Sequence, residues 1–358
     1  MFAIVPHVSM AAGYRAAMVA DMDTGRVLYS ENANDLNYPA SLTKIMTLYL
    51  TFDALEHGRL HLDDYLIVSQ YAANASPVKL GLAAGSKITV EDAIKAVAVV
   101  SANDVARVLA ENLKGGKEGN FASLMTRVAG EIGLARTNFE NSSGLPNDDH
   151  MSTARDIALL SMAVYKHFPQ YWKYFGIKTW TYNGKTYTNG NRLLGTYPGC
   201  DGMKTGFTNK SKYSLVATAK RDGHHLMSVV LGAENKDVRA SVATNMLNKG
   251  FDMLGTGAAP IAKTTPVSAP VKNKNATVAA TTPKTSSGTA GVQFGAFSSI
   301  DAANTQAARV NSAIGIRPTV ESTGTGMYRV RANGLSDASA SDIKSRAMAA
   351  GIDCYIFH

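Results

Sequence analysis

Cysteine is nearly absent, with two in 358 residues, too few to staple a small fold, which excludes a disulfide scaffold. Cys200 and Cys354 read as two thiols, and no compartment follows from them. No uninterrupted apolar stretch approaches the roughly 18 residues of a membrane-spanning helix, so no transmembrane segment is expected. The eight histidines are scattered, and His224-His225 has no Cys or acidic partner at ligand spacing, so neither a metal nor a cofactor is expected. Acidic residues are missing altogether between Met253 and Ile300, where Lys263, Lys272, Lys274 and Lys284 stand alone.

That gap divides the chain. Residues 255–290 consist mainly of Ala, Thr, Pro, Ser, Gly, Asn and Lys, including Pro260, Pro266, Pro270 and Pro283. Such a segment cannot bury enough apolar surface to offset its ordering entropy, so it is expected to be a disordered linker. It also carries half of the net charge of +8: the residues before it sum to +3, the linker to +4 and the residues after it to +1. The flanking parts are close to neutral and show no basic strip with interleaved aromatics, which argues against a nucleic-acid partner. Length and composition, with 45% hydrophobic residues, fit two folded domains, 1–254 and 291–358, on either side of the linker. Residues 1–12, MFAIVPHVSMAA, are mildly apolar and end in small residues but lack the basic start and full apolar core of a secretory signal. They read as the start of a cytoplasmic chain, or as a truncated or misassigned start.

Two short apolar runs at 14–30 flank Asp23-Thr24-Gly25, a hairpin signal. From 41 to about 166 the periodicity becomes helical, as in IMTLYLTFDALEHG and ARDIALLSMAVYKHF. Strands return at 213–233 around Arg221-Asp222-Gly223, and a closing helix follows at about 237–254. Early and late strands must therefore share one antiparallel sheet to bury their apolar faces. The expected fold is α/β, an antiparallel sheet flanked by helices with the helical block as a second lobe.

Pro39-Ala40-Ser41-Leu42-Thr43-Lys44 opens the first apolar helix. Ser41 and Lys44 lie one turn apart on one helix face, so the lysine amine can reach the serine hydroxyl. A serine hydroxyl is a weak nucleophile until a base removes its proton, and a desolvated lysine is such a base. The spacing alone says little, because Ser76/Lys79 and Ser341/Lys344 share it. Two further elements single out Ser41. Ser101-Ala102-Asn103 follows the apolar run AVAVV, where a loop would point a hydroxyl and an amide into a cleft; the plain alternative is a helix cap. Lys204-Thr205-Gly206 precedes the strong hairpin on an expected edge strand, where Gly206 permits close approach of a ligand backbone.

Ser-x-x-Lys, Ser-x-Asn and Lys-Thr-Gly in this order are the known motif set of penicillin-recognising serine enzymes. Across 14–254 the chain resembles a D-alanyl-D-alanine carboxypeptidase, a low-molecular-mass penicillin-binding protein. Asn141-Ser142-Ser143-Gly144-Leu145-Pro146, Thr153-Ala154-Arg155-Asp156 and Asp201-Gly202-Met203-Lys204-Thr205-Gly206-Phe207-Thr208 add to the likeness. The resemblance implies a β-lactamase/transpeptidase-like fold, a periplasmic or envelope location, and removal of the terminal D-Ala from peptidoglycan stem pentapeptides, with covalent inhibition by β-lactams. It implies Ser41 as nucleophile, Lys44 as general base and Ser101 as proton relay. Asn103 would hold the peptide amide, and the backbone N–H groups of Ser41 and Phe207 the oxyanion. Lys204, Thr205 and Gly206 would hold the substrate strand and its carboxylate, with help from Arg239, whose plain alternative is a solvated helix charge.

A D,D-endopeptidase on the same fold is an alternative. A β-lactamase is another, but it needs a base for its deacylating water, and Glu111, Glu118, Glu131 and Glu140 are ordinary residues of the helical block or the carboxypeptidase-like loop. A catalytically inactive wall-binding scaffold is the non-enzymatic reading, against which stand three intact motifs.

After the linker, strand, helix, strand, strand, helix and strand signals give a βαββαβ unit. VQFGAFS at 292–298 and Tyr328-Arg329-Val330-Arg331 resemble the SPOR domain, which binds peptidoglycan glycan strands. Alternation puts Phe294 and Val330 on the helix-packed face and Gln293, Arg329 and Arg331 on an open one, a candidate glycan surface; an ordinary solvated face is the alternative.

Overall fold

The structure, a computed structural model, describes residues 13–255, 290–297, 300–323, 328–350, 352 and 354–357. Most of the expected linker and residues 1–12 lie outside the described residues. The chain divides into two compact units, Met1–Ala258 and Ala259–His358.

The first unit begins with strands β1 (Ala16–Asp21) and β2 (Val27–Glu31), then a 3₁₀ turn at Ala40–Thr43 leads into helix α1 (Lys44–Glu56). The helical lobe follows: β3 (Tyr65–Ile67), α2 (Gln70–Ala73), β4 (Lys87–Thr89), α3 (Val90–Lys95), a wide π turn at Ala96–Val100, α4 (Asn103–Leu113), α5 (Glu118–Ile132) and α6 (Ala154–His167). A 3₁₀ segment at Pro169–Gly176, the hairpin β5 (Thr179–Tyr182) and β6 (Lys185–Thr188), strands β7 (Cys200–Thr208), β8 (Lys212–Arg221) and β9 (His224–Ala233), and helix α7 (Lys236–Met253) complete it.

The five strands order as β2-β1-β9-β8-β7, so the first strands of the chain complete a sheet begun by the last. β1 is buried along its whole length: its AAMVA run is apolar on both faces, and Asp21 at its end accepts from the N–H groups of Asp23 and Thr24. Ala17 and Val19 look to one side with Leu247 and Phe251 of α7, while Met18 and Ala20 look to the other with the helical lobe. α7 comes so close that a Cβ on Gly250 would meet Leu226 at 2.8 Å and Val19 at 2.9 Å. Turn chemistry sets the hairpin between β8 and β9: Arg221 pairs with His224, and Asp222 and Gly223 both take positive φ, 49° and 80°. Helix starts are capped by side chains, Thr153 accepting from the Asp156 N–H at 3.0 Å and Asn235 from the N–H groups of Asp237 and Val238 at 2.9 Å.

Two features position chemistry. α1 is buried on nearly every side, Lys44 through Phe52 without a break, which places its first residue in the interior. β7 is the edge strand, and it lies against the 3₁₀ turn: a Cβ on Gly206 would meet the Pro39 carbonyl at 3.0 Å and the Leu42 nitrogen at 3.4 Å.

In the second unit β10 (Ala290–Phe297), α8 (Ile300–Ile314), β11 (Thr319–Ser322), β12 (Tyr328–Leu335), α9 (Asp337–Ala349) and β13 (Tyr355–Phe357) form the expected βαββαβ order, with sheet order β11-β12-β10-β13. Val292, Phe294 and Val330 pack with Ala303, Val310, Ile343 and Ala347 of the helices. The placement of Gln293 on an open face is corrected. Its side chain is fully buried, its Oε1 accepts from Arg331 Nε at 2.7 Å, and its Nε2 is buried without a partner. The reason is Phe357: its ring covers Gly291, where a Cβ would sit 2.3 Å from it, and Arg331 stacks 4.3 Å from its centre. This face therefore carries an aromatic cover, leaving Arg329 and Arg331 partly exposed.

Candidate active site

Ser41 stands in the 3₁₀ turn and Lys44 is fully buried at the start of α1. The Lys44 Nζ lies 3.0 Å from Ser41 Oγ, 2.8 Å from Asn103 Oδ1 and 2.7 Å from the Ser143 carbonyl oxygen. The last two are pure acceptors. A neutral amine has two hydrogens and one lone pair, so donating to Asn103 and Ser143 aims the lone pair at the Ser41 hydroxyl. Burial, joined by the positive charge of Lys204, holds Lys44 well below the ordinary lysine range, while Glu118 and Asp104 oppose the shift. These are the conditions under which a lysine acts as a base.

Ser101 follows the π turn in the left-handed conformation, φ 64° and ψ 32°. Its Oγ is buried and has no hydrogen-bond partner among the described residues. Asn103 opens α4 and is engaged at both ends of its amide: Oδ1 accepts from Lys44, and Nδ2 donates to the Ser76 carbonyl at 3.1 Å.

On β7, Lys204 is 2% exposed and donates to the Thr205 carbonyl at 3.1 Å. Burial first, then the charge of Arg239, lowers it to about 7. Arg239 of α7 is buried too, donating to the Gly190 carbonyl at 3.3 Å, with its Nε unpartnered. Burial and the charge of Arg192 bring it to about 10. The solvated-charge alternative for Arg239 is thereby excluded. Thr205 faces Gly190, where a Cβ would meet its Oγ1 at 3.0 Å, and the Phe207 side chain is half exposed with its ring 4.3 Å from that of Tyr213.

Hydrogen bonds thus join Ser41, Lys44 and Asn103 to the Ser143 carbonyl, β7 brings Gly206 against the turn that carries Ser41, and four more residues shape this arrangement. Asn141 Oδ1 gathers the N–H groups of Ser143, Gly144 and Leu145 at 3.2, 2.7 and 3.0 Å, which curls the loop and offers the Ser143 carbonyl to Lys44. Asn before Ser-Ser-Gly is a turn signal that points to this curl. Gly144 permits the close approach: with φ 79°, a Cβ there would stand 1.7 Å from the Ala40 carbonyl oxygen. His150 is buried with Nε2 2.8 Å from Thr43 Oγ1, while its Nδ1 accepts from the Glu140 N–H, so it is neutral and donates to the threonine. Burial lowers it to about 4, with Lys44 adding to the effect. Asp104 accepts from the N–H groups of Leu80 and Gly81 at 2.9 and 2.8 Å, tying the loop before β4 to α4. No sequence signal identifies the buried His150 or Asp104. Of the glutamates weighed as a water-activating base, Glu111 accepts from Ser69, Glu131 pairs with Arg127, Glu140 accepts from Asn138 and Glu118 accepts from Ser142 and Tyr71.

Among the described residues no group of three or more His, Cys, Asp or Glu is arranged to hold a metal. No described helix is long and apolar enough to cross a membrane. Neither Cys200 nor Cys354 forms a disulfide within its own unit among the described residues.

Residues 5–235 match the family described as D-alanyl-D-alanine carboxypeptidase, and residues 286–357 match the SPOR domain. Among curated proteins, the D-alanyl-D-alanine carboxypeptidases DacF of Bacillus subtilis and DacC of Escherichia coli are 35% and 37% identical over 247 and 249 residues, in each case 68% of this chain. The matched region spans 63% and 62% of their own lengths. Among solved structures, penicillin-binding protein 5 of Haemophilus influenzae superposes with a TM-score of 0.65 at 31% identity, covering 70% of this chain and 73% of that one. Penicillin-binding protein D2 of Listeria monocytogenes in its ampicillin-bound form gives 0.62 at 31% identity, covering 68% of this chain and all of that one.

Proposed function

The chain belongs to the D-alanyl-D-alanine carboxypeptidase family, and from that premise we propose that it is a serine-type D,D-carboxypeptidase of the cell envelope, delivered to peptidoglycan by its SPOR domain. The observation that carries the reading is the Lys44 amine, buried, donating to two acceptors and set 3.0 Å from the Ser41 hydroxyl.

The terminal carboxylate of the stem peptide pairs with the two buried cations, Lys204 and Arg239, and the peptide lies along the edge strand β7 at Thr205 and Gly206. Ser41 Oγ attacks the carbonyl between the last two D-alanines: the O–C bond forms and the hydroxyl proton passes to Lys44 Nζ. The backbone N–H groups of Ser41 and Phe207 receive the oxyanion, a contact worth about 2.7–4 kcal/mol per donor. The C–N bond then breaks, and the proton travels from Lys44 through the otherwise unpartnered Ser101 hydroxyl to the departing D-alanine amine. Water attacks the acyl carbon as Lys44 takes its proton, the bond from that carbon to Ser41 Oγ breaks, and Lys44 returns the proton to Ser41 Oγ, releasing the shortened peptide. Penicillin opens its lactam on Ser41 by the same first step. Asn103, held between Lys44 and Ser76, keeps the lysine aimed and borders the peptide site.

Two measurements test this. Penicillin should add its own mass to Ser41 and to nothing in Ser41→Ala, and a D-Ala-D-Ala pentapeptide should release D-alanine. Rapid penicillin turnover without D-alanine release would identify a β-lactamase, and no adduct at all a scaffold. For the SPOR domain, the full chain should pellet better with amidase-treated sacculi, whose glycan is bare, than with untreated ones. Equal pelleting would count against glycan targeting.

A further inference from the structure

Lys44 donates to a backbone carbonyl, and a carbonyl is only as well placed as its loop. The residue before it, Ser142, is pinned from two sides. From α1, Thr47 Oγ1 donates to the Ser142 carbonyl at 2.6 Å. From the first turn of α5, Glu118 accepts both the Ser142 N–H, at 2.9 Å, and the Ser142 hydroxyl, at 2.5 Å, on its Oε1. Its Oε2 accepts from the Tyr71 hydroxyl at 2.6 Å and lies 3.4 Å from Arg107 Nε, whose guanidinium stacks 4.2 Å from the Tyr71 ring centre. Glu118 is 7% exposed. A carboxylate at this depth is costly unless every oxygen is engaged, and here both are.

We propose that Glu118 is a positioning residue for the general-base lysine: it fixes the Ser142-Ser143 peptide so that the Ser143 carbonyl meets the Lys44 amine, and it keeps one negative charge buried behind that loop. The inference rests on the assignment of Lys44 as base. The charged groups around Lys44 come from three elements: Lys204 on β7, Asp104 on α4, and Glu118 on α5 with its partner Arg107. His150, from the loop after α5, is neutral. Glu118 and Asp104 favour the ammonium form, and Lys204 disfavours it. The two effects of Glu118 are separable. Gln at this position retains an oxygen for the Ser142 N–H and hydroxyl and lets the Tyr71 hydroxyl turn to accept, but it removes the charge. Ala removes both.

The test is the rate of Ser41 acylation by a fluorescent penicillin as a function of pH, with thermal melting of each variant. Glu118→Gln should keep most of the rate at high pH and shift the acid limb to lower pH, because the ammonium loses a stabilising charge. Glu118→Ala should lose about tenfold or more at every pH, as expected for a misplaced base. Thr47→Val, which loosens the other anchor without altering charge, should lower the rate and leave the limb in place. A Glu118→Gln profile that superimposes on that of the parent, or parental rates in Glu118→Ala or Thr47→Val, overturns the proposal. Should Glu118→Gln and Glu118→Ala fail to fold, Ser142→Ala, which removes the hydroxyl that Glu118 Oε1 accepts and leaves the charge in place, decides: its rate should fall, and a parental rate overturns the proposal. Absence of any adduct at Ser41 in the parent protein overturns the carboxypeptidase reading itself, a result distinct from the others.

Discussion

Lys204 and Arg239 are two buried cations set against each other, neither with a carboxylate partner among the described residues. Each loses hydration, and Arg239 further weakens the hold of Lys204 on its proton. A pair of unneutralised charges in an apolar setting is a destabilising arrangement that an anion relieves.

The pH dependence of substrate affinity follows. With Lys204 lowered to about 7, the unliganded site loses one of its cations as pH rises through that value, so KM for a pentapeptide should climb above it. Folding stability moves the opposite way. Between about 7 and the ordinary lysine value of 10.5 the unfolded chain binds the proton that the folded one has released, so stability rises with pH across that window. Melting of the parent and of Lys204→Gln from pH 6 to 10 checks the sign: the slope should flatten in the variant.

His150 supplies a second linkage at lower pH. Its folded value of about 4 lies below the ordinary 6.5, so the unfolded state binds more protons between them and stability falls as pH drops through that range. Replacing His150 with Ala leaves the Thr43 hydroxyl without its donor at a cost of about 1–3 kcal/mol at neutral pH. The variant should also lose this pH dependence, measurable by urea unfolding at pH 7 and pH 5.

Gly144→Ala should be severe. A methyl group 1.7 Å from the Ala40 carbonyl oxygen, at φ 79°, must push the loop away from the turn that carries Ser41. Expected are a loss of about 2 kcal/mol or more in unfolding free energy and a large fall in penicillin labelling.

Thr153→Ala is the contrasting case. It removes the cap of α6, where Thr153 Oγ1 accepts the Asp156 N–H at 3.0 Å, and should cost about 1 kcal/mol. Acylation should be unaffected, since the cap touches none of the cleft residues; a matching fall in labelling would show that α6 is coupled to the site.

Much of this arrangement is legible in the order of residues. Ser41 and Lys44 are legible only together with Ser101-Ala102-Asn103 and Lys204-Thr205-Gly206, because their one-turn spacing recurs at Ser76/Lys79 and Ser341/Lys344. Arg221-Asp222-Gly223 predicts its hairpin because two consecutive positive φ angles need such residues. The second acceptor around Lys44 is not legible: it is a backbone carbonyl 99 residues away, and no side-chain type marks it. The three-residue strands β3 and β4 and the hairpin β5–β6 are too short to show a period of two against their neighbours. Gln293 alternates as expected, yet alternation says which face a residue is on and not what covers that face. Phe357, at the far end of the domain sequence, supplies the cover.

Ser101 carries a cost that its neighbours do not. Its φ of 64° is one that glycine adopts freely and that a residue with a Cβ adopts at a penalty. A chain shaped only for robustness would place glycine at this position and would give up no hydrogen bond of the side chain, because the hydroxyl bonds to no other group among the described residues. Ser101→Gly is therefore a substitution that should make the fold firmer while removing the hydroxyl proposed above as the proton relay. Attempts to raise the melting temperature of this protein by random mutation and thermal screening alone should drift toward that change, and a screen that retains an acylation step is needed to prevent it.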